Sequence, residues 1–311
     1  MAMGLMDMGF SEADVISVLR EVFATPNPRV FVGIGDDAAV VAGSSQQVFS
    51  TDMAVEGVHF RSEWSSAFEI GRRITAANIA DVLSMGAQCE YLLAAVSLTG
   101  SEELSWIENL AQGMKAEAVK AGAVIVGGDI ARATSITIAM TAVGSTERPI
   151  LRSGAKVGNN IFISSLPGWS AAGLHLLTNQ IAATNEISKR AIAEFKAPTL
   201  DYEIDFSAAS SMSDISDSLL IQAAQMATAS GVSFKLDPEL ISQAPEFLEL
   251  SLLAQEVSVD VWDWILGGGE DHVFLATGES LPGVRIGTIV EGSGISGIEM
   301  KKAPVSWSHF N

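Results

Sequence analysis

The sequence predicts a mixed α/β protein built of two domains. Its 311 residues correspond to about two domains at roughly 150 residues each. Strand-like and helix-like segments alternate along the chain, which indicates a mixed class rather than an all-α or all-β protein. A segment rich in Gly, Arg, Lys and Ser, residues 144–158, separates two such series. We therefore predict an N-terminal domain over residues 1–147 and a C-terminal domain over residues 148–311.

The first half of the chain contains a short strand and two long helices by its apolar pattern. Residues 47–50 predict the strand. Apolar residues at helical intervals predict one helix over residues 68–85 and another over 104–121. Gly122 stands where a C-terminal cap of the second helix is expected.

Strands and turns follow in both halves. Residues 123–126 and 135–143 predict two strands around a turn at Gly127-Gly128-Asp129. In the second half, the same patterns predict a strand over 161–164, a helix from Ser170, a helix over 217–230 and a glycine-rich turn after residues 261–266. The alternation therefore continues to the end of the chain.

The charge balance narrows the classes of partner. The chain carries 18 Lys and Arg against 37 Asp and Glu, a formal net charge of −19. A nucleic-acid-binding protein needs a basic face, and docking on anionic lipid needs cations as well, so both are disfavoured. No stretch approaches the roughly 18–20 apolar residues of a membrane-spanning helix. We therefore expect neither a nucleic acid nor a membrane as partner.

The N-terminal charges and the cysteine content indicate the compartment. The first basic residue is Arg20, and acidic residues precede it, which does not fit a secretory signal peptide. Cys89 is the single cysteine, so an internal disulfide and a cysteine-ligated zinc site are excluded. A reduced, cytoplasmic protein is the simplest interpretation.

Part of the negative charge falls where a ligand can approach the backbone. Acidic residues follow glycines or apolar strands at predicted strand ends and tight turns. The positions are Asp36 and Asp37 after Gly33-Ile34-Gly35, Asp52, Asp129 after Gly127-Gly128, Asp214, Asp217, and Glu270-Asp271 after three glycines. Each alone has an ordinary explanation as a turn or, for Asp214, Ser216 or Asp217, as a helix N-cap. Their joint occurrence indicates a binding site.

Asp81 lies instead within a predicted helix. Ile74, Asn78, Asp81 and Met85 fall at steps of four, three and four, and therefore share one side of that helix. Two of them are apolar, so the stripe is predicted to be partly buried, and an ionised carboxylate there needs a partner. Because Lys and Arg are scarce, we predict a metal ion as that partner.

A site made of several carboxylates requires cations. Two carboxylates about 4 Å apart repel by roughly 4 kcal/mol at an effective dielectric constant near 20. All-oxygen ligands suit Mg²⁺, which commonly takes one or two carboxylates together with phosphate oxygens of a substrate. Neither a P-loop nor a protein-kinase glycine-rich loop is present. The residues therefore predict magnesium–nucleotide chemistry at aspartates on several glycine-rich turns.

In order and spacing these motifs resemble the thiamine-monophosphate kinase family of the aminoimidazole-ribonucleotide-synthetase-like superfamily. The resemblance covers nearly the whole chain. The matching segments are Gly33-Ile34-Gly35-Asp36-Asp37-Ala38, Ser50-Thr51-Asp52, His59-Phe60, Asn78-Ile79-Ala80-Asp81, Met85-Gly86-Ala87, Gly127-Gly128-Asp129, Arg132, Arg152-Ser153-Gly154-Ala155-Lys156, Gly158, Asp214-Ile215-Ser216-Asp217 and Gly268-Gly269-Glu270-Asp271.

The resemblance implies ATP-dependent phosphorylation of thiamine monophosphate to thiamine diphosphate. It implies direct in-line transfer with several Mg²⁺ ions, no phosphoenzyme and no protein nucleophile. It also implies a two-domain synthetase-like fold. In that fold the N-terminal domain joins its sheet to that of a second copy, forming a homodimer with a β-barrel-like core, and the C-terminal domain is α/β. The active site is expected in the cleft between the domains.

The resemblance also assigns three groups of site residues. The implied magnesium ligands are Asp37, Ser50, Thr51 (through its backbone carbonyl), Asp52, Asp81, Asp129, Asp214 and Asp217. The implied ATP contacts are Gly128, Asp129, Arg152 and Ser216. The implied contacts to thiamine monophosphate are His59, Glu270 and Trp307.

Three positions depart from the family's pattern. Ser218 stands for a usual Gly, Ala80 for a usual Ser and Asn159 for a common Asp. None is an implied magnesium ligand, so activity is expected. Two alternatives stay open: another ATP-using synthase of the superfamily, and a catalytically silent magnesium–nucleotide-binding protein, which Ser218 and Ala80 motivate. The selenophosphate branch is disfavoured because it relies on an N-terminal Cys or selenocysteine, whereas Cys89 follows a helix end.

Overall fold

The chain divides into two units, each with its own β-sheet. One unit is formed by Met1–Val82 and Ala87–Glu147, the other by Leu83–Gly86 and Arg148–Asn311. A computed structural model describes residues 12–24, 26–32, 34, 40–43 and 46–298. Within these ranges, no helix is both long enough and apolar enough to cross a membrane.

The first unit combines a four-stranded sheet with helices and a small two-stranded sheet. Its helices are α1 (Glu12–Val22), α2 (Ala67–Ser84) and α3 (Leu104–Lys120). Its strands are β1 (Val30–Val32), β2 (Val40–Val41), β3 (Gln47–Val55), β4 (Gln88–Leu98), β5 (Val124–Arg132) and β6 (Thr137–Ser145). β1 pairs with β2, and the four longer strands form the main sheet.

The main sheet of the first unit has the strand order β3-β6-β4-β5. β6 is antiparallel to both of its neighbours, and β5 is parallel to β4. Every second residue of β6 is buried on one face of the sheet, including Ile138, Met140 and Ala142. This is expected for a strand with one face against a core. The opposite face leaves Phe49 64% and Met53 58% exposed.

The second unit is built on a six-stranded sheet. Its helices are α4 (Trp169–Thr178), α5 (Glu186–Lys196), α6 (Leu219–Ser230), α7 (Pro238–Ser242), α8 (Phe247–Glu256) and α9 (Val261–Gly267). Its strands are β7 (Asn160–Ile163), β8 (Ser211–Asp214), β9 (Ser233–Leu236), β10 (Phe274–Gly278), β11 (Val284–Val290) and β12 (Gly294–Ser296). The strand order is β12-β9-β11-β7-β10-β8, antiparallel except for the β12–β9 pair.

The core of the second unit lies between this sheet and its helices. Fully buried apolar side chains from strands and helices pack into one cluster, with Ile163, Leu219, Phe234 and Leu275 each at 0% exposure. Burial of such side chains is the main favourable contribution to folding. The mixed α/β class predicted from the alternating pattern is therefore confirmed.

The spacing of apolar residues predicts the two long helices of the first unit correctly, but it does not predict where the first long strand ends. The helices predicted over 68–85 and 104–121 are confirmed as α2 and α3, and Gly122 has the left-handed φ of +71° expected after a helix end. The strand predicted over 47–50 continues to Val55.

The turn predicted at Gly127-Gly128-Asp129 is wrong. These residues lie inside β5, where Gly128 pairs with Ala94 of β4. A Cβ at Gly128 would stand 1.9 Å from the backbone oxygen of Ala94. The glycine therefore serves a close approach of two strands instead of a change of chain direction.

Asp271 caps α4 from a distant part of the chain. Its Oδ2 accepts from the Gly168 backbone N–H at 2.8 Å, and its Oδ1 accepts from the Ser170 N–H at 2.9 Å. Burial raises the pKa of Asp271 to about 6, against the opposing effect of these two hydrogen bonds. At neutral pH the ionised carboxylate satisfies two donors at the start of the helix.

Replacing Asp271 by Ala should lower the free energy of unfolding by about 2–4 kcal/mol, because two buried N–H groups lose their acceptor. Urea unfolding followed by circular dichroism measures this loss. The control is Asp237→Ala, which removes the side-chain cap of the short helix α7 and should cost about 1 kcal/mol. Equal losses in the two variants would contradict the role of Asp271.

Candidate functional site

The junction of β3 and α2 brings three predicted magnesium ligands together. Ser50 and Asp52 share one face of β3, since alternate residues of a strand point the same way. The Ser50 hydroxyl donates to Asp81 Oδ2 at 2.5 Å. The Asp52 backbone N–H donates to Asn78 Oδ1 at 3.1 Å. Asp52 and Asp81 are both half-buried, so two carboxylates and a hydroxyl occupy one small region of the first unit.

The predicted stripe along α2 is confirmed as partly buried. Ile74 is 4% and Asn78 0% exposed, while Asp81 and Met85 are half-buried. Both polar atoms of the Asn78 amide are hydrogen-bonded. Its Nδ2 donates to the Ile74 carbonyl at 2.9 Å, and its Oδ1 accepts from the Asp52 backbone N–H. Asn78 therefore sets the position of the backbone at Asp52.

Thr51 presents its side chain to the other face of the sheet. Its hydroxyl donates to the Met140 carbonyl at 3.0 Å, and the Thr141 hydroxyl donates to Thr51 Oγ1 at 3.2 Å. The side chain thus points away from the face that carries Ser50 and Asp52. Thr51 could offer a magnesium ion either its side-chain hydroxyl or its backbone carbonyl. Only the carbonyl, which the resemblance implies, agrees with this arrangement.

Asp129 is separated from the β3–α2 junction. In the register of the sheet, Asp52 stands level with Met140 of β6, Met140 with Ala94 of β4, and Ala94 with Gly128 of β5. β3 and β5 are the two edge strands, so three strand spacings, or about 14 Å, lie between them. Within one chain, the sheet does not bring Asp129 beside Asp52.

An apolar cavity of about 150 Å³ lies beside Gly128 and Asp129. Its walls come from α1, α3, β4 and β5, with Leu19, Val96 and Met114 among the lining residues. An apolar pocket next to a few polar groups is the usual form of a small-molecule site.

His59 lies in the loop that follows β3. Its Nδ1 accepts from the Val55 backbone N–H at 3.1 Å, so a neutral ring carries its proton on Nε2. The residue is half-buried. His59 can therefore donate from Nε2 while its orientation is set by the end of β3.

In the second unit, backbone hydrogen bonds hold two predicted motifs side by side. β8 ends at Asp214, and the Glu270 N–H donates to the Ser216 carbonyl at 2.6 Å. A Cβ at Gly269 would stand 2.5 Å from the carbonyl oxygens of Ser216 and Asp217, so only glycine permits this approach. The segment from Asp214 to Asp217 and the Glu270 loop therefore form one local structure.

Ser218 is the residue that caps α6. Its hydroxyl accepts from the Ile221 N–H at 3.2 Å, and its φ of 179° is extended backbone. The ordinary explanation of Asp214, Ser216 or Asp217 as the N-cap is therefore wrong. The extended backbone at position 218 does not require glycine, so Ser218 is tolerated there. The presence of Ser218 is therefore no longer an argument that the protein is catalytically silent.

Ser216 is oriented by a buried amide. Gln222 Nε2 donates to Ser216 Oγ at 3.0 Å, and Gln222 is 1% exposed. Because the Ser216 oxygen accepts this bond, its own proton points elsewhere and can serve a ligand. Arg152, the other predicted phosphate contact of this unit, is exposed and donates from Nη1 to Gln225 Oε1 at 3.0 Å.

His272 is a site residue that the sequence did not reveal. It is 5% exposed, and its Nδ1 lies 3.1 Å from Asp214 Oδ2, although 58 residues separate the two. Its Nε2 lies 3.9 Å from Glu270 Oε2. Burial lowers the pKa of His272, but the hydrogen bond to Asp214 and the nearby charges of Asp214 and Glu270 outweigh it and raise the pKa to about 10. No spacing rule links His272 to Asp214, so pattern reasoning could not pair them.

Two predicted site residues, Asp37 and Trp307, lie outside the described residues. Inside the described ranges, no group of three or more His, Cys, Asp or Glu side chains is arranged to hold a metal ion. The predicted ligands that are described supply carboxylate, hydroxyl and carbonyl oxygens. Mg²⁺ commonly uses one or two protein carboxylates and fills its other positions with water and substrate phosphate, so this donor set fits it.

The chain is similar to known proteins along most of its length. The family "AIR synthase related protein, N-terminal domain" matches residues 35–146. A thiamine-monophosphate kinase of Mycobacterium tuberculosis is 36% identical over 273 residues, which cover 85% of this chain and 80% of that protein.

Two solved structures are similar along nearly the whole chain. The thiamine-monophosphate kinase of Stenotrophomonas maltophilia K279a superposes with a TM-score of 0.82 at 27% identity, covering 92% of this chain and 96% of that one. AaThiL complexed with AMPPCP and TMP has a TM-score of 0.79 at 28% identity, with 99% and 100% covered. The chain belongs to the thiamine-monophosphate kinase family.

Proposed function

We propose that this chain transfers the terminal phosphate of ATP directly to thiamine monophosphate, in a magnesium-dependent reaction that gives thiamine diphosphate. The observation that carries the proposal is that acidic motifs distant in sequence are brought together in each unit, in the second unit by a close approach that only Gly269 permits. These are Asp52 with Asp81 at the β3–α2 junction, and Asp214–Asp217 against the Glu270 loop. Family membership supports the same reaction.

Magnesium would be held by Asp52 and Asp81 with the Ser50 hydroxyl in the first unit, and by Asp214 and Asp217 in the second. When bound, the ions neutralise phosphate charge, including the charge that develops during transfer. The chain's part is to hold the carboxylates in place. Asn78 fixes the Asp52 backbone by accepting its N–H, and the Ser50 hydroxyl donates to the Asp81 carboxylate itself.

ATP binding has two supports, one in each unit. The apolar cavity beside Gly128 and Asp129 offers a place for a flat base, with polar groups at its edge. In the second unit, Ser216 keeps its proton free for a phosphate oxygen, and the Arg152 guanidinium offers forked donors. We assign Gly128, Asp129, Arg152 and Ser216 to the nucleotide.

Thiamine monophosphate carries a cationic ring and a phosphate, and the proposed contacts match this. Glu270 presents a carboxylate whose side chain is 44% exposed, and His59 has a proton on Nε2 when neutral. The Glu270 carboxylate would attract the cationic ring of the substrate, and the His59 N–H would donate to one of the substrate's polar groups. Trp307 is kept as a third contact on the resemblance alone.

The proposed reaction needs no protein nucleophile. Cys89, the single cysteine, is 0% exposed, and burial raises its pKa to about 12, so its thiolate is not available for attack. A buried free thiol also agrees with the proposed cytoplasmic location. In-line transfer between two bound substrates then depends on positioning and on charge neutralisation.

A coupled assay for thiamine diphosphate, run with ATP in the presence and absence of Mg²⁺, tests the proposal. We expect product only with Mg²⁺, and ADP formed in equal amount. If other acceptor substrates stimulate ADP release as strongly as thiamine monophosphate does, the result would favour another synthase of the superfamily. Tight ATP binding by calorimetry without product would favour a silent binding protein.

We also propose that the chain acts as a homodimer joined through the main sheet of the first unit. The face of this sheet that carries Phe49 and Met53 leaves large apolar side chains uncovered, with Leu93 39% exposed beside them. Contiguous apolar surface on a sheet is typical of an interface, and a second copy offers the same surface by two-fold symmetry. Light scattering after gel filtration should give twice the chain mass of 32.7 kDa. A mass of one chain at micromolar concentration would contradict the dimer.

A further inference from the structure

His272 connects a proposed magnesium ligand with a proposed substrate contact. Its Nδ1 lies 3.1 Å from Asp214 Oδ2, and its Nε2 lies 3.9 Å from Glu270 Oε2. The side chains of His272 and Asp214 are 6% and 2% exposed, whereas that of Glu270 is 44% exposed. The imidazole therefore reaches from a buried carboxylate to one at the surface of the same unit.

One nitrogen of this buried ring makes no hydrogen bond. Among the described residues, His272 Nε2 is a buried nitrogen without a hydrogen-bond partner. An apolar side chain of similar size would avoid this unsatisfied nitrogen, but it would leave the buried Asp214 carboxylate without its Nδ1 partner. The chain places a histidine here, with its free nitrogen on the side of Glu270.

The backbone around His272 is also unusual. Glu270 has a φ of +66° and His272 a φ of +52°, a left-handed conformation that residues other than glycine rarely adopt. The His272 N–H donates to the Ile215 carbonyl at 3.0 Å, which fastens this conformation to the segment after Asp214. Such conformations persist where surrounding structure holds them, and they concentrate at functional sites.

We infer that His272 is a positioning residue that fixes the carboxylate of Asp214 for magnesium and, through its other nitrogen, sets Glu270 for thiamine monophosphate. The inference rests on the proposed function, and it concerns residues of the second unit only. A side chain that hydrogen-bonds a metal ligand fixes the ligand's orientation, and its loss typically lowers metal affinity or activity 10–100-fold. The two nitrogens give two separable effects, one on the metal and one on the substrate.

Three variants separate these effects. His272→Leu removes both nitrogens and should raise the Mg²⁺ concentration for half-maximal activity by about 10–100-fold. His272→Asn keeps an amide near the position of Nδ1, so its Mg²⁺ requirement should stay close to wild type while the KM for thiamine monophosphate rises. His272→Gln places its amide near the position of Nε2 and should show the opposite pattern.

A binding measurement complements the kinetics. Calorimetric titration of Mg²⁺ into each variant, with a non-hydrolysable ATP analogue present, should show the weakened metal affinity of the Leu and Gln variants without any turnover. The control is His175→Leu, which removes a half-buried histidine of α4 whose ring lies tilted against Trp264, and it should leave the Mg²⁺ requirement unchanged.

The outcomes distinguish this inference from the proposed function. If the wild-type chain forms no thiamine diphosphate, the proposed function fails, whatever the variants do. If wild type is active and all three His272 variants share its Mg²⁺ affinity and its KM for thiamine monophosphate, the positioning role is overturned. Should the Leu variant not fold, the contrast between the Asn and Gln variants decides, and equal values in those two would also overturn the role.

Discussion

The Asp52→Asn variant should lose turnover by about three orders of magnitude while keeping its fold. The substitution removes one negative charge and preserves the size of the side chain. The hydrogen bond that holds this position, from the Asp52 N–H to Asn78, involves the backbone and therefore survives. Because Asp52 and Asp81 are both half-buried carboxylates at one junction, removal of one should slightly raise the melting temperature of the metal-free protein.

Asp217→Asn tests the second unit in the same way, and the same loss of turnover is expected. The control is Asp201→Asn, an exposed aspartate that accepts the N–H groups of Glu203 and Ile204. Steady-state rates over a range of Mg²⁺ concentrations, together with circular dichroism, give both readouts. Near-normal turnover in Asp52→Asn and Asp217→Asn would refute the assignment of the magnesium site.

Residues that follow a simple period were predicted well. The helical spacing of Ile74, Asn78 and Asp81 located α2 and its partly buried stripe, because a regular helix fixes which residues share a side. The mixed α/β class followed from the same alternation. In both cases, neighbours in sequence determine the structure.

Contacts made across the fold were not predictable in this way. Gly127-Gly128-Asp129 has the composition of a turn, yet pairing with β4 keeps it in a strand, and that pairing depends on residues more than 30 positions away. His272 meets Asp214 only because β10 is paired with β8. Asp271 caps a helix that begins about a hundred residues earlier. A single sequence carries no local signal for any of these contacts.

The separation of Asp52 and Asp129 has a consequence for the proposed dimer. Closing two four-stranded sheets into one barrel must join edge strands, and the edges are β3 and β5. Two-fold symmetry permits two closures: β3 beside the partner's β3, or β3 beside the partner's β5. In the first, Asp52 and Asp129 stay about 14 Å apart across one sheet. Only the second brings β3, which carries Asp52, beside the partner's β5, which carries Asp129.

Mixing two inactive variants decides between these closures. If a site takes Asp52 from one chain and Asp129 from its partner, a mixed dimer of Asp52→Asn and Asp129→Asn contains one site with both aspartates intact. Random exchange makes about half of the dimers mixed, so co-refolded protein should recover about one quarter of wild-type activity. If each site belongs to one chain, every site in the mixture lacks one aspartate and no activity returns. Recovery would therefore show that the site is shared, while continued inactivity of a mixture verified to contain mixed dimers would exclude it.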